Sequence, residues 1–267
     1  MKLHFRDLGP SNGNGNLPIV ILHGLFGSGD NWLTFAGTLS KEYRVVLPDL
    51  PNHGDSPHTD RFSYSYMAEL IGGFLSDNDL SPCILTGHSM GGKIAMAVAL
   101  EHGSRIERVC LVDIAPTADP ARHSEMLTAM TEVANARVRS RREVDSILEK
   151  RIPSLRERQF LQKSLTEGED GVYRWKLNLS LIQSSYAEML AWPFRGPSQG
   201  GAYHYDGPAF FIAGSRSGYV KPEHLELMQA LFPHAQLVTV PDAGHWVHAE
   251  QPTTFGTAFG QFLAARA

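Results

Sequence analysis

The chain has 267 residues, a formal net charge of −4 and two cysteines. This length suits one α/β domain with an insertion, and the small negative charge gives no sign of a nucleic-acid partner. Residues 1–7 contain no apolar signal region and no apolar run reaches the length of a membrane span, so we expect a cytoplasmic protein without membrane insertion. No group of Cys and His residues has the spacing of a metal site, and we expect none.

Strands and helices alternate through the first 116 residues. Strands are predicted at residues 3–8, 19–22, 43–47, 82–86 and 106–112, and helices at residues 30–39, 64–75 and 94–102. The Gly- and Asn-rich stretch 9–16 predicts the turn of a hairpin between the first two strands. Cys83 and Cys110 fall in predicted buried strands, where we expect free thiols. This alternation predicts a mostly parallel sheet with helices on both faces.

The pattern changes near residue 117. From there to about residue 205 the chain is mostly amphipathic helix, as in residues 126–134 and 144–152. Alternation then returns, with strands predicted at residues 208–214 and 235–240 and helices at residues 222–231 and 252–265. We therefore expect a core domain of residues 1–116 and 206–267, with a helical cap of residues 117–205 inserted in it.

A G-x-S-x-G pentapeptide stands between a predicted strand and a predicted helix. It runs from Gly87 to Gly91 and predicts a nucleophile elbow in which Ser89 has a strained backbone. Such a turn is so tight that glycine is needed at both ends. An incidental serine in a turn is one alternative. A phosphate loop is another, because Gly87 to Lys93 fits G-x-x-x-x-G-K, but Ile94 stands where that motif needs Ser or Thr.

A serine hydroxyl is a poor nucleophile until a base takes its proton. The best candidate for the base is His245, which follows the last predicted strand and has Gly244 before it. His248 lies three residues further on and is the main rival. His23 and His88 flank glycines of the motifs, and we expect them to organise loops.

Acyl transfer also needs donors for the negative oxygen of the tetrahedral intermediate. We assign the backbone N–H groups of Met90, the residue after the nucleophile, and of Leu25, in the loop after the second strand. Phe26 and Trp246 are candidates for the substrate pocket, and ordinary core packing is the alternative, above all for Phe26.

Several motifs stand in a recognisable order. They are H-G-L-F-G-S at residues 23–28, D-L-P-N-H-G at residues 49–54, G-H-S-M-G-G at residues 87–92, V-D-I-A-P at residues 112–116 and the pair Gly244-His245. On these residues the chain resembles the α/β-hydrolase superfamily over nearly its whole length. It resembles more narrowly a group of small esterases and thioesterases that act on short acyl esters and, in some members, on acyl-CoA. The resemblance implies an eight-stranded, mostly parallel sheet and no cofactor.

The acid of the triad departs from the commonest family pattern. In many members it follows the penultimate strand, three residues after a glycine, and here Ser217 occupies that place. The nearest carboxylate at a strand end is Asp113, a position that carries the acid in some members. We therefore predict a triad of Ser89, Asp113 and His245 supported by Ser217. A turn-forming aspartate before a proline is the alternative interpretation of Asp113.

The predicted function is that of a serine carboxylesterase acting on short-chain acyl esters, with acyl-CoA thioesters as a further class of substrate. Cofactor-free haloperoxidases and carbon–carbon lyases use the same triad on this fold and remain alternatives. A ligand-binding homologue without activity is a third. A dehalogenase is disfavoured because its nucleophile would be Asp at position 89. Arg139 and Arg142 belong to a basic stretch, residues 134–158, for which we weigh binding of a carrier's phosphates against a solvated helix face.

Overall fold

The computed structural model describes residues 1–265. The strands are β1 Phe5–Leu8, β2 Ile19–Leu22, β3 Val45–Pro48, β4 Cys83–His88, β5 Ile106–Val112, β6 Leu165–Glu167, β7 Tyr173–Trp175, β8 Ala209–Gly214 and β9 Ala235–Val240. The helices are α1 Leu33–Leu39, α2 Tyr64–Asp77, α3 Met90–Glu101, α4 Ser124–Ala136, α5 Arg141–Leu148, α6 Leu155–Gln162, α7 Leu179–Ser184, α8 Tyr186–Leu190, α9 Leu225–Leu231, α10 Val247–Glu250 and α11 Pro252–Ala264.

Seven strands form one sheet in the order β1-β3-β2-β4-β5-β8-β9, and only β1 runs antiparallel to its neighbour. The predicted α/β fold with a mostly parallel sheet is confirmed. Within residues 1–265 the sheet has seven strands, so the count of eight implied by the resemblance is wrong. Within the described residues, seven segments of the core have the strand pattern, and all seven pair in this sheet.

The predicted hairpin between the first two strands is also wrong, because β3 lies between β1 and β2. All four residues of β2 are buried, and this strand takes an interior place with parallel neighbours on both sides. The two central residues of β1 are exposed, which suits the edge of the sheet. The stretch between the two strands is a 3-10 turn at Gly13–Gly15.

Alternate side chains of each central strand enter two different cores. In β2, Val20 and Leu22 pack with α2 and α3, whereas Ile19 and Ile21 pack with α1 and α11 on the opposite face. Both faces of the sheet are therefore covered, as a buried parallel sheet requires. The cysteines, Cys83 in one core and Cys110 in the other, are buried free thiols, as predicted.

The segment between β5 and β8 contains helices α4 to α8 and a two-stranded hairpin, β6 and β7. The sequence pattern predicted the helices but not the hairpin, which turns at Gly168 and at Gly171 with φ of 71°. Apolar side chains of this segment join the same core as α2 and α3. Over residues 1–265, the helices all fall short of the length and apolar character needed to cross a bilayer.

Serine side chains mark the starts of several helices. Ser63, Ser140 and Ser154 each accept a hydrogen bond from the backbone N–H three residues later, at the starts of α2, α5 and α6. Ser89 stands at the same position before α3, but its hydroxyl makes no such capping bond. The helix after β4 therefore begins without using the hydroxyl that the sequence predicts to react.

Candidate active site

The turn between β4 and α3 has the geometry of a nucleophile elbow. Ser89 has φ of 54° and ψ of −122°, a backbone conformation that L-residues rarely adopt. A Cβ on Gly87 would lie 2.2 Å from the carbonyl oxygen of Gly91, and one on Gly91 would lie 2.3 Å from that of His23. Both glycines are therefore required by close backbone approach, as the sequence predicted.

Asp113 and His245 come together from two loops that follow strands β5 and β9. Nδ1 of His245 lies 2.7 Å from Oδ2 of Asp113. The backbone N–H of Gly214 donates to Oδ1 at 3.0 Å, and the hydroxyl of Ser217 donates to Oδ2. The side chain predicted to support the acid thus contacts it directly. Because His245 and Ser89 line the same pocket, the structure places the three predicted triad residues at one site.

The charges at this site follow from burial. Burial raises the pKa of Asp113 to about 6, although the Ser217 hydroxyl and the Gly214 N–H both lower it. Burial lowers the pKa of His245 below the usual histidine value, and the charge of Arg122 acts in the same direction. At neutral pH the carboxylate is therefore ionised and the imidazole neutral. Nδ1 then donates to Asp113 and leaves Nε2 as a proton acceptor.

The ring of His245 is held on more than one side. Tyr219 stacks on it, with ring centroids 4.1 Å apart and an interplanar angle of 21°. The guanidinium of Arg122 lies 4.5 Å above the Tyr219 ring. His88 is buried, which lowers its pKa to about 3, so its neutral ring donates from Nε2 to the His245 carbonyl oxygen at 2.9 Å. No sequence motif singles out Tyr219 or Arg122; the position of Tyr219, two residues after Ser217, is the one available signal.

His248, the rival base, lines the same larger pocket as Ser89 and His245, but it makes no hydrogen bond to Asp113. His248 stacks on Trp32 with ring centroids 3.9 Å apart, and its Nδ1 has no hydrogen-bond partner within residues 1–265. Asp242, another acid near His245 in sequence, is exposed. The carboxylate of Asp113 therefore meets His245 and not His248.

The loop after β2 packs against the nucleophile. A Cβ on Gly24 would lie 3.3 Å from Cβ of Ser89. Nε2 of His23 accepts from the Leu50 N–H at 2.9 Å, so its Nδ1 donates to the Gly24 carbonyl oxygen at 2.8 Å, which fits the predicted role in organising the loop. Among residues 1–265, neither the Leu25 nor the Met90 backbone N–H has a hydrogen-bond acceptor. Both donors are free for a substrate oxygen.

Two pockets adjoin Ser89. The larger has a volume of about 410 Å³ and is lined by both predicted pocket residues, Phe26 and Trp246. The smaller has a volume of about 30 Å³ and is lined by Leu25 and Met90 together with Ser89. Residues of α4 and α6 that also line the larger pocket, such as Met126 and Phe160, belong to no sequence motif.

Three cations reach the larger pocket: Arg122, Arg156 and Lys163. Arg139 and Arg142, for which carrier binding was weighed against a solvated helix face, do not line it and are exposed. The guanidinium of Arg139 instead donates to the backbone of Asp170. Spacing along the chain located the basic segment but not the side of each helix that faces the site.

One group within residues 1–265 has the geometry to hold a metal ion, and it consists of His4, Asp49 and Asp55. Its acids already have internal partners: Asp49 Oδ2 lies 2.9 Å from Nδ1 of His4, and Asp55 Oδ1 lies 2.7 Å from Nζ of Lys176. None of the three lines either pocket at Ser89. These residues therefore suit a structural role in the loop after β3.

The chain matches the model of the α/β hydrolase fold over residues 18–252 and belongs to this family, which confirms the predicted resemblance. It is 38% identical over 262 residues to "sn-1-specific diacylglycerol lipase ABHD11" of Mus musculus, covering 95% of this chain and 83% of that protein. It is 33% identical to "Esterase YbfF" of Escherichia coli strain K12, covering 98% of this chain and 99% of that one. A solved structure, "Marine microorganism esterase", has a TM-score of 0.91 and 35% identity, with 98% and 99% of the two chains covered.

Proposed function

We propose that this protein is a serine carboxylesterase that hydrolyses short-chain acyl esters through Ser89, His245 and Asp113. The observation that carries the proposal is a serine in a strained elbow, at φ of 54°, on the same pocket as a histidine whose Nδ1 lies 2.7 Å from a buried carboxylate. Relatives named as esterases and as a lipase support the broader statement that the chain is a hydrolase acting on ester bonds.

In the first half-reaction, Nε2 of His245 takes the proton of the Ser89 hydroxyl while Oγ forms a bond to the ester carbonyl carbon. The carbonyl π electrons move to its oxygen, which the N–H groups of Leu25 and Met90 stabilise. Asp113 stabilises the imidazolium that forms. As the tetrahedral intermediate collapses, the bond to the alkoxide breaks and His245 gives its proton to the departing oxygen, which releases the alcohol.

In the second half-reaction, water attacks the acyl-enzyme. His245 takes a proton from the water while the water oxygen forms a bond to the acyl carbon. The N–H groups of Leu25 and Met90 stabilise the new oxyanion. Collapse breaks the bond to Ser89 Oγ, which regains a proton from His245, and the carboxylic acid leaves. Each residue ends in its starting state.

We also propose that residues 117–205 act as a cap over a core domain made of residues 1–116 and 206–267. Met126 in α4 and Phe160 in α6 line the larger pocket together with Ser89 and His245. Exclusion of water by such a cap would strengthen the electrostatic stabilisation of the oxyanion.

A thioester of an anionic carrier such as CoA is a second candidate substrate. The observation that favours it is the group of three cations, Arg122, Arg156 and Lys163, on the larger pocket. Arginine and lysine in this arrangement suit phosphate groups of a leaving thiol. Loss of acyl-CoA turnover in an Arg156→Ala, Lys163→Ala double variant that still hydrolyses a neutral ester at the native rate would support this candidate; equal loss with both substrates would exclude it.

The central experiment is covalent labelling with a fluorophosphonate, which reacts with an activated serine. The native protein should be labelled and should hydrolyse naphthyl acetate, whereas Ser89→Ala should do neither. Ser215→Ala is the matched control, because Ser215 stands in the β8 loop and bonds to the backbone of Asp242 instead. Native protein that binds esters without being labelled would indicate a ligand-binding homologue and overturn the proposal.

A further inference from the structure

The two pockets at Ser89 differ in two residues that matter for the chemistry. His245 lines the larger pocket, of about 410 Å³, and not the smaller one, of about 30 Å³. Met90, whose N–H is free, lines the smaller pocket and not the larger one. Leu25 and Ser89 line both. The nucleophile thus stands at the junction of a wide space on the side of the base and a narrow space on the side of the oxyanion donors.

This asymmetry fixes the direction in which an ester lies. The departing alkoxide receives its proton from His245, so the alcohol must occupy the pocket that this histidine lines. The carbonyl oxygen must lie between the N–H groups of Leu25 and Met90, which leaves the smaller pocket for the acyl chain. We infer that the enzyme takes esters of very short acids, acetyl or propanoyl, with bulky alcohols. This inference rests on the proposed function and names its substrate class.

The small pocket is narrow because of the segment at the end of α8. Met189 and Leu190 line it, next to Tyr64 and Lys93. A space of about 30 Å³ exceeds the roughly 10–15 Å³ that one water needs by only about twofold. It therefore accepts a methyl or ethyl group but no longer chain.

The same segment is also held in place, so the pocket does not widen readily. The hydroxyl of Tyr64 donates to the carbonyl oxygen of Met189. Nζ of Lys93 donates to the carbonyl oxygens of Leu190 at 3.0 Å and Ala191 at 3.2 Å. It also lies 2.6 Å from a carboxylate oxygen of Asp119. Because these donors are buried, moving the segment would leave the Tyr64 hydroxyl without its acceptor and Lys93 with Asp119 alone, a costly change in a low-dielectric interior.

The larger pocket suits a bulky, mainly apolar alcohol. Its volume is more than ten times that of the small one, and aromatic side chains line it: Phe26, Phe160 and Trp246. Phe160 and Trp246 lie with their ring centroids 5.4 Å apart at one wall. An aromatic alcohol can therefore bury its ring against apolar surface in the larger pocket, and the small pocket has no room for such a ring.

A pair of isomeric esters tests the direction without any mutation. Naphthylmethyl acetate has a small acyl group and a bulky alcohol, and methyl naphthylacetate has the reverse, with the same atoms in total. The first should be hydrolysed with a kcat/KM at least about 10²-fold higher, since a misfit of even one methylene changes this ratio 10–200-fold. Equal rates or the opposite preference would overturn the inference while leaving the esterase proposal intact. If neither isomer were hydrolysed and the fluorophosphonate did not label Ser89, the proposed function itself would fail.

Variants in each pocket test which of the two limits the length of the acyl chain. With the acetate, propanoate, butanoate and hexanoate of naphthylmethanol, the native kcat/KM should fall at least about 10-fold beyond propanoate. Met189→Ala removes most of a side chain from the small pocket and should raise the butanoate-to-acetate ratio about 10-fold. Phe160→Ala, the matched control in the larger pocket, should weaken turnover of naphthylmethyl esters relative to methyl esters and leave that ratio unchanged. If Phe160→Ala changed the butanoate-to-acetate ratio and Met189→Ala did not, the acyl chain would lie in the larger pocket.

Discussion

Ser217 donates a hydrogen bond to Oδ2 of Asp113, the same carboxylate oxygen that lies 2.7 Å from Nδ1 of His245. The serine stands where the family resemblance places the acid, and Asp113, the proposed acid, follows β5 instead. Both loops therefore still meet at the histidine. Two donors on one oxygen stabilise the ionised form of a carboxylate that burial would otherwise neutralise.

Ser217→Ala should shift the pH dependence of kcat/KM. The hydroxyl lowers the pKa of Asp113, which lies at about 6, so its removal raises that pKa. Activity requires the ionised carboxylate and therefore falls as pH drops through this pKa. The acid limb should move to higher pH by on the order of one unit, while the plateau above it changes little.

The control for this measurement is Ser215→Ala, in the same loop, whose hydroxyl accepts from the Asp242 N–H and does not touch Asp113. Its pH profile should superimpose on the native one. A uniform loss of kcat/KM at every pH in Ser217→Ala, with an unmoved acid limb, would mean that Ser217 shapes the loop without tuning the acid.

Asp113→Asn should lower kcat by about 10³–10⁴-fold, because the amide presents the wrong partner to the His245 ring and carries no charge to stabilise the imidazolium. Asp242→Asn makes the same chemical change at an exposed acid close to His245 in sequence and should keep near-native kcat. Steady-state kinetics with naphthyl acetate measures both. If the Asp242 variant lost activity and the Asp113 variant kept it, the acid would have to be reassigned.

His245→Ala should abolish turnover, and His248→Ala should retain the native kcat per folded molecule. His248 stacks on Trp32 in the core, so its loss should reduce stability instead, by about 1–3 kcal/mol. Active-site titration combined with urea denaturation separates the two effects. A stable His248→Ala protein without activity would transfer the role of base to that residue.

The parts of the site predicted from sequence are those fixed by local rules. A parallel sheet brings the carboxyl ends of its strands to one edge, so Ser89 after β4, Asp113 after β5 and the loop after β9 were expected to meet there. The glycines at 87 and 91 are needed by close contacts within a single turn, and the motif alone reveals these.

The parts that were not predicted depend on contacts between segments distant in the chain. Tyr219 stacks on His245 and Arg122 lies over Tyr219, but no periodicity or spacing connects these three residues. The strand order is another case, because a turn-rich stretch after β1 is equally compatible with a hairpin and with an edge strand paired to β3. The side of a helix that faces a pocket likewise depends on packing, which is why Arg156 of α6 lines the larger pocket and Arg142 of α5 does not.

Lys93 lies two residues after the elbow, and in the sequence it fits only the phosphate-loop pattern. In the structure its side chain is 1% exposed and its Nζ lies 2.6 Å from Asp119, close to two carbonyl groups at the end of α8. Lys93→Ala should therefore destabilise the fold by about 3–5 kcal/mol, since it leaves a largely buried carboxylate without its partner. Urea denaturation measures this change.

Lys176→Ala is the matched control for that substitution. Its Nζ lies 2.7 Å from Asp55, but the lysine side chain is 33% exposed and the aspartate 50%, so solvent screens the pair. Its loss should change the free energy of unfolding by about 1 kcal/mol or less. Similar small effects in both variants would show that water compensates Asp119 when the lysine is removed. The end of α8 would then not be held by Lys93, and the small acyl pocket would be more adaptable than its hydrogen bonds indicate.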